Sequence, residues 1–343
     1  MVIKFNECGS YSKAKCMDGE KAEKVMSLMS TTEQYLLGLK AGKVLRKIHE
    51  LTAPEDMLDW EKRYFAVMDE RIDEYCSSGI LFEGSDVVID YMEHNRSLLR
   101  GRPQCFLHGD YHEGNLMVSA DSEIYVIDPP DEEFGNCGDP WYDFKTFGEN
   151  GNAYFSTGLV RGYFDGEPPQ IFWDVLTYYI ITAALTSIVW KKYHNPDDLP
   201  EAMRWNEEIA RDLKDGRSPL MKWYLKDFYI QYTDGIPYKL KAPFDFSFLS
   251  KYGKVFKVFD NQDSGNICFG VTDGIKKYFI KFAGAPTARA CVSAGEAVAN
   301  LKCTEPVYHD LAHPNLIRLI ASEEIGDGFA MIFEWSDAEC MHP

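Results

Sequence analysis

HGDYHEGN occupies residues 108–115 of this chain, and Asp128 follows at the end of the apolar run IYVI. Asp110 and Asn115 lie five positions apart in a predicted tight loop, and Asp128 ends a predicted strand. Three such groups can place a general base and two metal ligands around a nucleoside triphosphate. The joint spacing therefore predicts a phosphoryl-transfer site. The simpler alternative is that these residues only cap turns, as Asp and Asn often do.

Short apolar runs surround this loop. Residues 105–107 precede it and predict a buried strand, whereas residues 116–118 and 124–127 flank a polar turn. Two short apolar runs around a polar turn are typical of a β-hairpin. The predicted hairpin carries Asn115 and Asp128 at its two ends, so it brings the two predicted metal ligands together.

Helical patterns dominate the rest of residues 17 to 235. Ser30 and Glu33 form a capping box in front of a helix that extends to about residue 49. Further helices are predicted over residues 56–75, 171–192 and 201–230. The most apolar stretch, Leu176 to Trp190, is too short and too rich in hydroxyl groups to span a bilayer, and we expect a buried core helix there.

The C-terminal third has a different, β-rich pattern. Three β-rich runs, a helix interrupted by Pro306 and two more strands are predicted in this order: residues 255–259, 266–271, 277–282, 294–310, 316–320 and 329–333. A change of composition with two prolines precedes them. The sequence therefore predicts an N-terminal domain over residues 1–235, a linker over 236–247 and a β-rich domain over 248–343.

Charge and cysteine usage limit the class of protein. The chain has 36 basic and 54 acidic side chains, a formal net charge of -18 that repels nucleic acid and anionic lipid headgroups. The same field attracts cations, whether Mg²⁺ or a cationic substrate, although solubility alone also explains it. Nine cysteines without a C-x-x-C pair predict reduced thiols, and no secretory signal is apparent, so we expect a cytoplasmic protein.

Residues 17–235 resemble the catalytic lobe of the aminoglycoside phosphotransferase family, which is part of the protein-kinase-like superfamily. HGDYHEGN matches the family's H-G-D-x-x-x-x-N loop, Ile127-Asp128 matches its metal-binding I-D, and GDPWYD from Gly138 matches the G-D-P-x-x-D that follows. The resemblance implies that Asp139 and Asp143 of this third motif support the loop structurally.

The same resemblance assigns roles to the loop residues. It makes Asp110 the base that accepts the proton of the substrate hydroxyl and His108 an organiser of the loop. It makes Asn115 and Asp128 the ligands of Mg²⁺. The implied nucleotide is ATP or GTP.

Residues 246–343 resemble a different object, the N-terminal, nucleotide-covering lobe of bacterial serine/threonine kinase-like proteins. Lys281 falls where such lobes keep the phosphate-binding lysine of their third strand. Glu305 or Glu296 would pair with it, and the spacing does not separate the two. Glu334 falls in the segment that resembles the hinge.

The order of the two lobes departs from the superfamily, in which the nucleotide lobe comes first. Residues 9–13 resemble the opening of a nucleotide lobe, but the chain passes almost directly to Met17 and the usual intervening strands are missing. The chain is either a permuted kinase, whose C-terminal lobe covers the catalytic lobe, or a fusion of two kinase fragments. No G-x-G-x-x-G precedes Lys281, and the carboxylates of Asp260 and Asp263 in the equivalent turn disfavour phosphates.

These observations predict an α+β, protein-kinase-like fold with a mainly helical catalytic lobe followed by a small antiparallel sheet plus helix. The leading function is an ATP-dependent phosphotransferase acting on a hydroxyl of a small molecule, one that can carry positive charge. The first alternative is a non-catalytic binding or scaffold protein derived from a kinase. A metal-dependent phosphoesterase is the second alternative, because Gly109 to His112 resembles a G-D-x-H motif, but the upstream D-x-H is absent.

Overall fold

The computed structural model describes residues 3–5, 11–13, 19–128, 136–147, 152–310, 313 and 315–337. The chain divides into two compact units, residues 1–225 and residues 226–343. The first unit is mainly helical, and the second is an antiparallel sheet with one helix. The predicted α+β fold class is confirmed.

The first unit contains strands and helices in consecutive groups along the chain. Its helices are α1 (Ala22–Met26), α2 (Thr31–Ile48), α3 (Trp60–Ser77), α4 (Ser85–Asn95), α5 (Ala153–Phe164), α6 (Gln170–His194) and α7 (Leu199–Lys214). Its strands are β1 (Ile3–Phe5), β2 (Tyr11–Lys13), β3 (Glu20–Lys21), β4 (Cys105–Phe106), β5 (Leu116–Val118), β6 (Ile124–Val126) and β7 (Cys137–Gly138). They pair antiparallel as β1-β2, β3-β5-β6 and β4-β7, so the predicted hairpin is β5-β6. The consecutive groups are β1 to β3, α1 to α4, β4 to β7 and α5 to α7.

Helix α2 begins as its sequence predicts and packs unusually closely on α5. The Ser30 hydroxyl accepts a hydrogen bond from the Glu33 amide, and the Glu33 carboxylate accepts one from the Ser30 amide. A Cβ added to Gly38 would lie 2.2 Å from the Phe155 carbonyl oxygen, and one added to Gly42 would lie 2.1 Å from the Leu159 carbonyl oxygen. Only glycine permits this approach of the two backbones.

We expect Gly42→Ala to destabilise the first unit by about 1–3 kcal/mol, because the methyl group meets a backbone carbonyl that cannot rotate away. Thermal unfolding followed by circular dichroism would measure the loss. Gly295→Ala is the matched control, since this helical glycine has nothing within 4 Å of an added Cβ. The control should melt at or slightly above the parent temperature. If Gly42→Ala had the same melting temperature as the parent protein, the close packing of α2 on α5 would be contradicted.

Helix α6 is apolar because it is buried between two core clusters. One face packs with α2, α5 and the hairpin, and its opposite face packs with α3, α4 and α7. The helix has 25 residues and its most apolar window is 72% buried inside the protein, although its length and composition alone would allow it to cross a membrane. The helix is thus longer than the apolar stretch Leu176 to Trp190, and a core position accounts for its composition.

The second unit is built on a five-stranded antiparallel sheet. Its strands are β8 (Tyr229–Thr233), β9 (Ile236–Leu240), β10 (Lys254–Phe259), β11 (Asn266–Thr272), β12 (Lys277–Ala283), β13 (Leu319–Ile325) and β14 (Gly328–Glu334), and its helix is α8 (Ala294–Asp310). The large sheet has the order β10-β11-β12-β14-β13, and β8 pairs with β9. One face of the sheet packs on β9 and aromatic residues of 244–248, and the other packs on α8.

The division between the units lies ten residues before the sequence places it. The helix predicted over 201–230 ends at Lys214, because Gly216 takes a left-handed backbone (φ 69°) and Pro219 follows. The segment predicted as a linker, residues 236–247, contains strand β9, and Tyr238 is fully buried in the core of the second unit. Of residues 9–13, where the sequence suggests the opening of a nucleotide lobe, residues 9 and 10 lie outside the described residues and Tyr11–Lys13 form β2.

Candidate active site

The HGDYHEGN loop connects β4 to the hairpin where the two core clusters of the first unit meet. Leu107 before the loop is buried in one cluster and Tyr111 within it is buried in the other. The Tyr111 hydroxyl donates a hydrogen bond of 2.8 Å to the Ala41 carbonyl oxygen in α2. The loop is therefore anchored in the core at both sides of Asp110.

Asp143 holds the backbone of this loop. Its carboxylate accepts hydrogen bonds from the amides of His108 (2.8 Å) and Gly109 (2.6 Å). Gly109 has a positive φ of 79°, a conformation that glycine adopts without steric cost. Asp143 thus fixes the turn that places Asp110, as the structural role implied by its motif requires.

The Asp143 carboxylate is fully buried yet ionised. Burial acts to raise its pKa, but the hydrogen bond and charge of His49 and the two backbone amides outweigh burial and leave the pKa below its ordinary value. The Nε2 atom of His49 lies 2.9 Å from Asp143 Oδ2. Nothing in the sequence pattern singled out His49, because its partner lies 94 positions away.

His108 joins the loop to the end of the hairpin. Its Nε2 donates to the Ile127 carbonyl oxygen at 3.1 Å, and its Nδ1 accepts from the Asp110 amide at 3.3 Å. The Ile127 amide in turn donates to the Asn115 carbonyl oxygen at 2.9 Å. These contacts make His108 the link between Asp110 and the residue that precedes Asp128.

Asp110 presents a half-exposed carboxylate, with 54% of its side chain accessible. Its Oδ2 accepts a hydrogen bond from Asn115 Nδ2 (2.8 Å) and lies 3.3 Å from His112 Nε2. His112 Nδ1 accepts from the Gly114 amide, which leaves the proton on Nε2. The hydrogen bond from His112 is the largest cause that lowers the pKa of Asp110, ahead of Asn115 and the charge of Lys145, and burial opposes them. The carboxylate is ionised and ready to accept a proton.

Asp128 is exposed and has a left-handed backbone with φ 62°. Aspartate tolerates this conformation better than most residues. It follows Ile127 directly, so the contacts of Ile127 place it beside the loop that carries Asn115. Within the described ranges no group of three or more His, Cys, Asp and Glu is arranged to hold a metal, and the phosphoesterase alternative has no such cluster to support it.

Asp139, from the same motif as Asp143, is the centre of a second buried network. Its two oxygens accept from Nε (2.8 Å) and Nη2 (2.9 Å) of Arg102, and Oδ2 also accepts from the Tyr179 hydroxyl at 2.7 Å. The guanidinium lies 3.7 Å from the centre of the Trp141 ring. This network ties the segment after the loop to α6, a contact that short-range sequence patterns do not reveal.

A cavity of about 1000 Å³ opens between α3 and α6 in the first unit. Its charged lining comprises Glu70, Arg71, Glu74, Lys145 and His194, and its aromatic lining comprises Tyr64, Tyr142, Trp190 and Tyr193. Lys145 contacts the Tyr142 ring at 4.5 Å, and its charge helps to lower the pKa of Asp110. Thr146, next to Lys145, donates a hydrogen bond of 3.1 Å to the Tyr111 carbonyl oxygen in the loop, so the cavity adjoins the loop. Sequence reasoning missed it because its walls come from segments more than 100 residues apart.

The nucleotide-binding residues predicted in the second unit lie on its sheet and helix. Lys281 is in β12, opposite Cys268 of β11, and its charge opposes the burial that raises the pKa of this thiol to about 12. Glu305 accepts a hydrogen bond from the Ser322 hydroxyl, and Glu296 caps α8 through Ser293.

Glu334 ends β14 and forms an ion pair with Arg318. Its amide donates to the Arg318 carbonyl oxygen at 3.0 Å. Glu334 thus lies where the strand ends.

Several solved structures are similar to this chain at low sequence identity. A choline/ethanolamine kinase family protein from Mesorhizobium loti is 16% identical, with a TM-score of 0.43 over 65% of this chain and 75% of that chain. An aminoglycoside phosphotransferase bound to ADP is 14% identical, with a TM-score of 0.43 over 62% of this chain and 75% of that chain. A complex of a related phosphotransferase with GDP and kanamycin is 12% identical, with a TM-score of 0.43 over 62% and 74%.

Comparison of the sequence with known proteins and families matches only part of the chain. No curated protein matches the chain significantly. The sequence profile described as the phosphotransferase enzyme family matches residues 6–171, which include the loop, the hairpin and both supporting aspartates. Residues 6–171 of this chain are therefore similar to the phosphotransferase enzyme family.

Proposed function

We propose that this chain transfers the γ-phosphoryl group of ATP or GTP to a hydroxyl of a small molecule. One observation carries the proposal: an ionised, half-exposed Asp110 is held by Asn115 and His112 on a loop whose backbone is fixed from the core. A positioned carboxylate next to a cavity is what a general base for an alcohol acceptor requires. The two alternatives lack an observation of this kind.

Asp110 accepts the proton of the attacking hydroxyl in this proposal. The carboxylate must be ionised to do so, and its lowered pKa keeps it ionised at neutral pH. Lys145 lies near enough to influence that pKa, and its ammonium group also favours the negative charge that develops on the acceptor oxygen.

Asn115 and Asp128 fit Mg²⁺ by their donor chemistry. Because Asn115 Nδ2 donates to both the carbonyl and the carboxylate of Asp110, the amide oxygen remains as its acceptor atom. An amide oxygen and a carboxylate are hard oxygen ligands, the type that Mg²⁺ prefers. When bound, the cation would neutralise charge on the phosphate oxygens. These two residues of the chain would hold it beside the base.

The second unit supplies the proposed nucleotide contacts. Lys281 is the candidate for the phosphates, with Glu305 as its supporting carboxylate and Glu334 in the hinge-like segment. A cytoplasmic location, where ATP and Mg²⁺ are abundant, is part of the same proposal.

The acceptor is proposed to enter the cavity between α3 and α6. Glu70 and Glu74 are exposed and one helical turn apart on α3, and Trp190 has 58% of its surface accessible. Carboxylates beside an exposed aromatic ring attract amines and quaternary ammonium groups. The first unit also has 24 basic against 39 acidic side chains, so it contains most of the negative charge of the protein. A hydroxylated amine fits these features.

We expect the double variant E70Q/E74Q to raise the KM of a cationic acceptor by about fivefold, because two attractive charges of about 0.5 kcal/mol each are removed. The value of kcat should change little. Initial rates with choline, ethanolamine and aminoglycosides would measure it. Glu83→Gln, an exposed glutamate outside the cavity, is the control. An unchanged KM would show that the acceptor binds elsewhere.

Phosphoryl transfer itself is tested with the full chain, Mg²⁺ and ATP or GTP against the same acceptors, with the product detected by mass spectrometry. A phosphorylated acceptor supports the proposal. Nucleotide binding by calorimetry without any transfer would favour the non-catalytic alternative. Phosphate release from a phosphomonoester without nucleotide would favour the phosphoesterase.

A further inference from the structure

A buried chain of three side chains connects α2 and α5 to the loop. His49 caps the C-terminus of α2, and only 4% of its side chain is accessible. Its Nε2 lies 2.9 Å from Asp143 Oδ2, and its Nδ1 lies 2.9 Å from the Tyr163 hydroxyl in α5. His49 contacts neither Asp110 nor a predicted metal ligand.

The Asp143 end of this chain is shared with the loop. Oδ2 accepts from both His49 and the His108 amide, and Oδ1 accepts from the Gly109 amide. A carboxylate can rotate about its Cβ–Cγ bond unless both oxygens are held by rigid donors. The His49 imidazole is a rigid donor because it is buried, with 4% of its side chain accessible, and its other ring nitrogen also contacts the Tyr163 hydroxyl.

The close contact of α2 with α5 fixes where His49 and Tyr163 meet. A Cβ at Gly42 would lie 2.5 Å from the Tyr163 amide nitrogen, and the rings of His49 and Tyr163 meet edge to face with centres 5.4 Å apart. Two helices that share a backbone contact move little against each other. The imidazole therefore has a defined position relative to the loop.

We infer that His49 is a positioning residue of the site: through Asp143 it sets the orientation of the His108 and Gly109 amides, and hence the carboxylate of Asp110. For catalysis this inference rests on the proposed phosphotransferase function. A displacement of a reacting group by about 1 Å can cost about 100-fold in rate. Loss of the His49 contact to Asp143 should therefore lower kcat, whereas nucleotide binding should persist.

Two polar variants separate the two ends of the imidazole. His49→Gln places an amide nitrogen near the position of Nε2, so it keeps the hydrogen bond to Asp143 and loses the one to Tyr163. His49→Asn places its amide near the position of Nδ1, so it keeps the contact to Tyr163 and leaves Asp143 without this donor. Both variants are similar in size and polarity, and folding of each is verified by circular dichroism.

Hydrogen–deuterium exchange of the His108 and Gly109 amides is the first readout, because it needs no activity. We expect these two amides to exchange about tenfold faster in H49N than in the parent protein. In H49Q their exchange rates should lie within about threefold of the parental rates. In the kinetic assay the kcat of H49N should be about 10- to 100-fold below that of the parent, with the KM for Mg-ATP nearly unchanged. H49Q should keep most of the parental kcat.

Equal exchange rates in H49N, H49Q and parent would overturn the inference, as would faster exchange in H49Q alone. If neither variant folds, Tyr163→Phe, which retains the His49 to Asp143 contact, should still protect both amides, and their exposure there would also overturn it. An inactive parent protein with the expected exchange pattern would refute the proposed function and leave the positioning role supported.

Discussion

Asp110→Asn is expected to lower kcat for phosphoryl transfer by about 10²- to 10⁴-fold, the range that a positioned general base contributes. The substitution keeps the shape of the side chain and an oxygen that can accept from Asn115 and His112. The variant should therefore fold normally and bind Mg-nucleotide with parental affinity. Single-turnover rates with calorimetry of nucleotide binding would separate the two effects.

Asp121→Asn provides the control for this experiment. Asp121 is an exposed aspartate in the turn of the β5-β6 hairpin, close in sequence to the site but outside the loop. It should keep the parental rate. If Asp110→Asn retained more than about a third of the parental kcat, Asp110 would not be the base.

Asp139→Ala is expected to be the most destabilising of the substitutions discussed. Asp139 has no accessible side-chain surface and accepts from Arg102, Tyr179 and the Trp141 amide. Removing one partner of a buried ion pair leaves the other charge without compensation, at a cost of about 3–5 kcal/mol. The melting temperature of the first unit should fall by roughly 6–20 °C.

The chain contains a matched exposed pair for comparison. Arg96 binds both oxygens of Asp69 at 2.8 and 2.9 Å, and its guanidinium lies 4.0 Å from the Phe65 ring centre. The geometry resembles that of Arg102 and Asp139, but the Asp69 side chain is 51% accessible. Asp69→Ala should therefore change the melting temperature much less, because water replaces the lost contacts. Equal decreases of the melting temperature in Asp69→Ala and Asp139→Ala would show that burial does not determine how much each ion pair contributes to stability.

Local sequence patterns were sufficient for the loop and its immediate neighbours. Helix α8 continues from Ala294 to Asp310 through Pro306, so the break predicted there is not observed. The capping box of Ser30 and Glu33 and the hairpin that carries Asn115 and Asp128 occur as predicted. Each depends on residues close in the chain, since caps and turns are determined by side chains a few positions apart.

Residues distant in the chain account for what was not predicted. Tyr238 makes residues 236–247 part of a core, although their prolines and polar residues resemble a linker. The resemblance left open whether Glu305 or Glu296 supports Lys281, and their spacing did not separate them; Glu305 accepts from the Ser322 hydroxyl and Glu296 from Ser293. Spacing along a helix does not determine which neighbour a long, flexible side chain selects.

The sequence by itself determined the match of residues 6–171 to a phosphotransferase family, the residue types of the loop and the hairpin that follows it, because these depend on short-range spacing and periodicity. Only the tertiary structure decided that His49 and Asp143, 94 positions apart, hold the loop, and that Lys145 joins it to a cavity. Burial removes water as a competing partner, so such contacts are defined by packing, which no local pattern encodes.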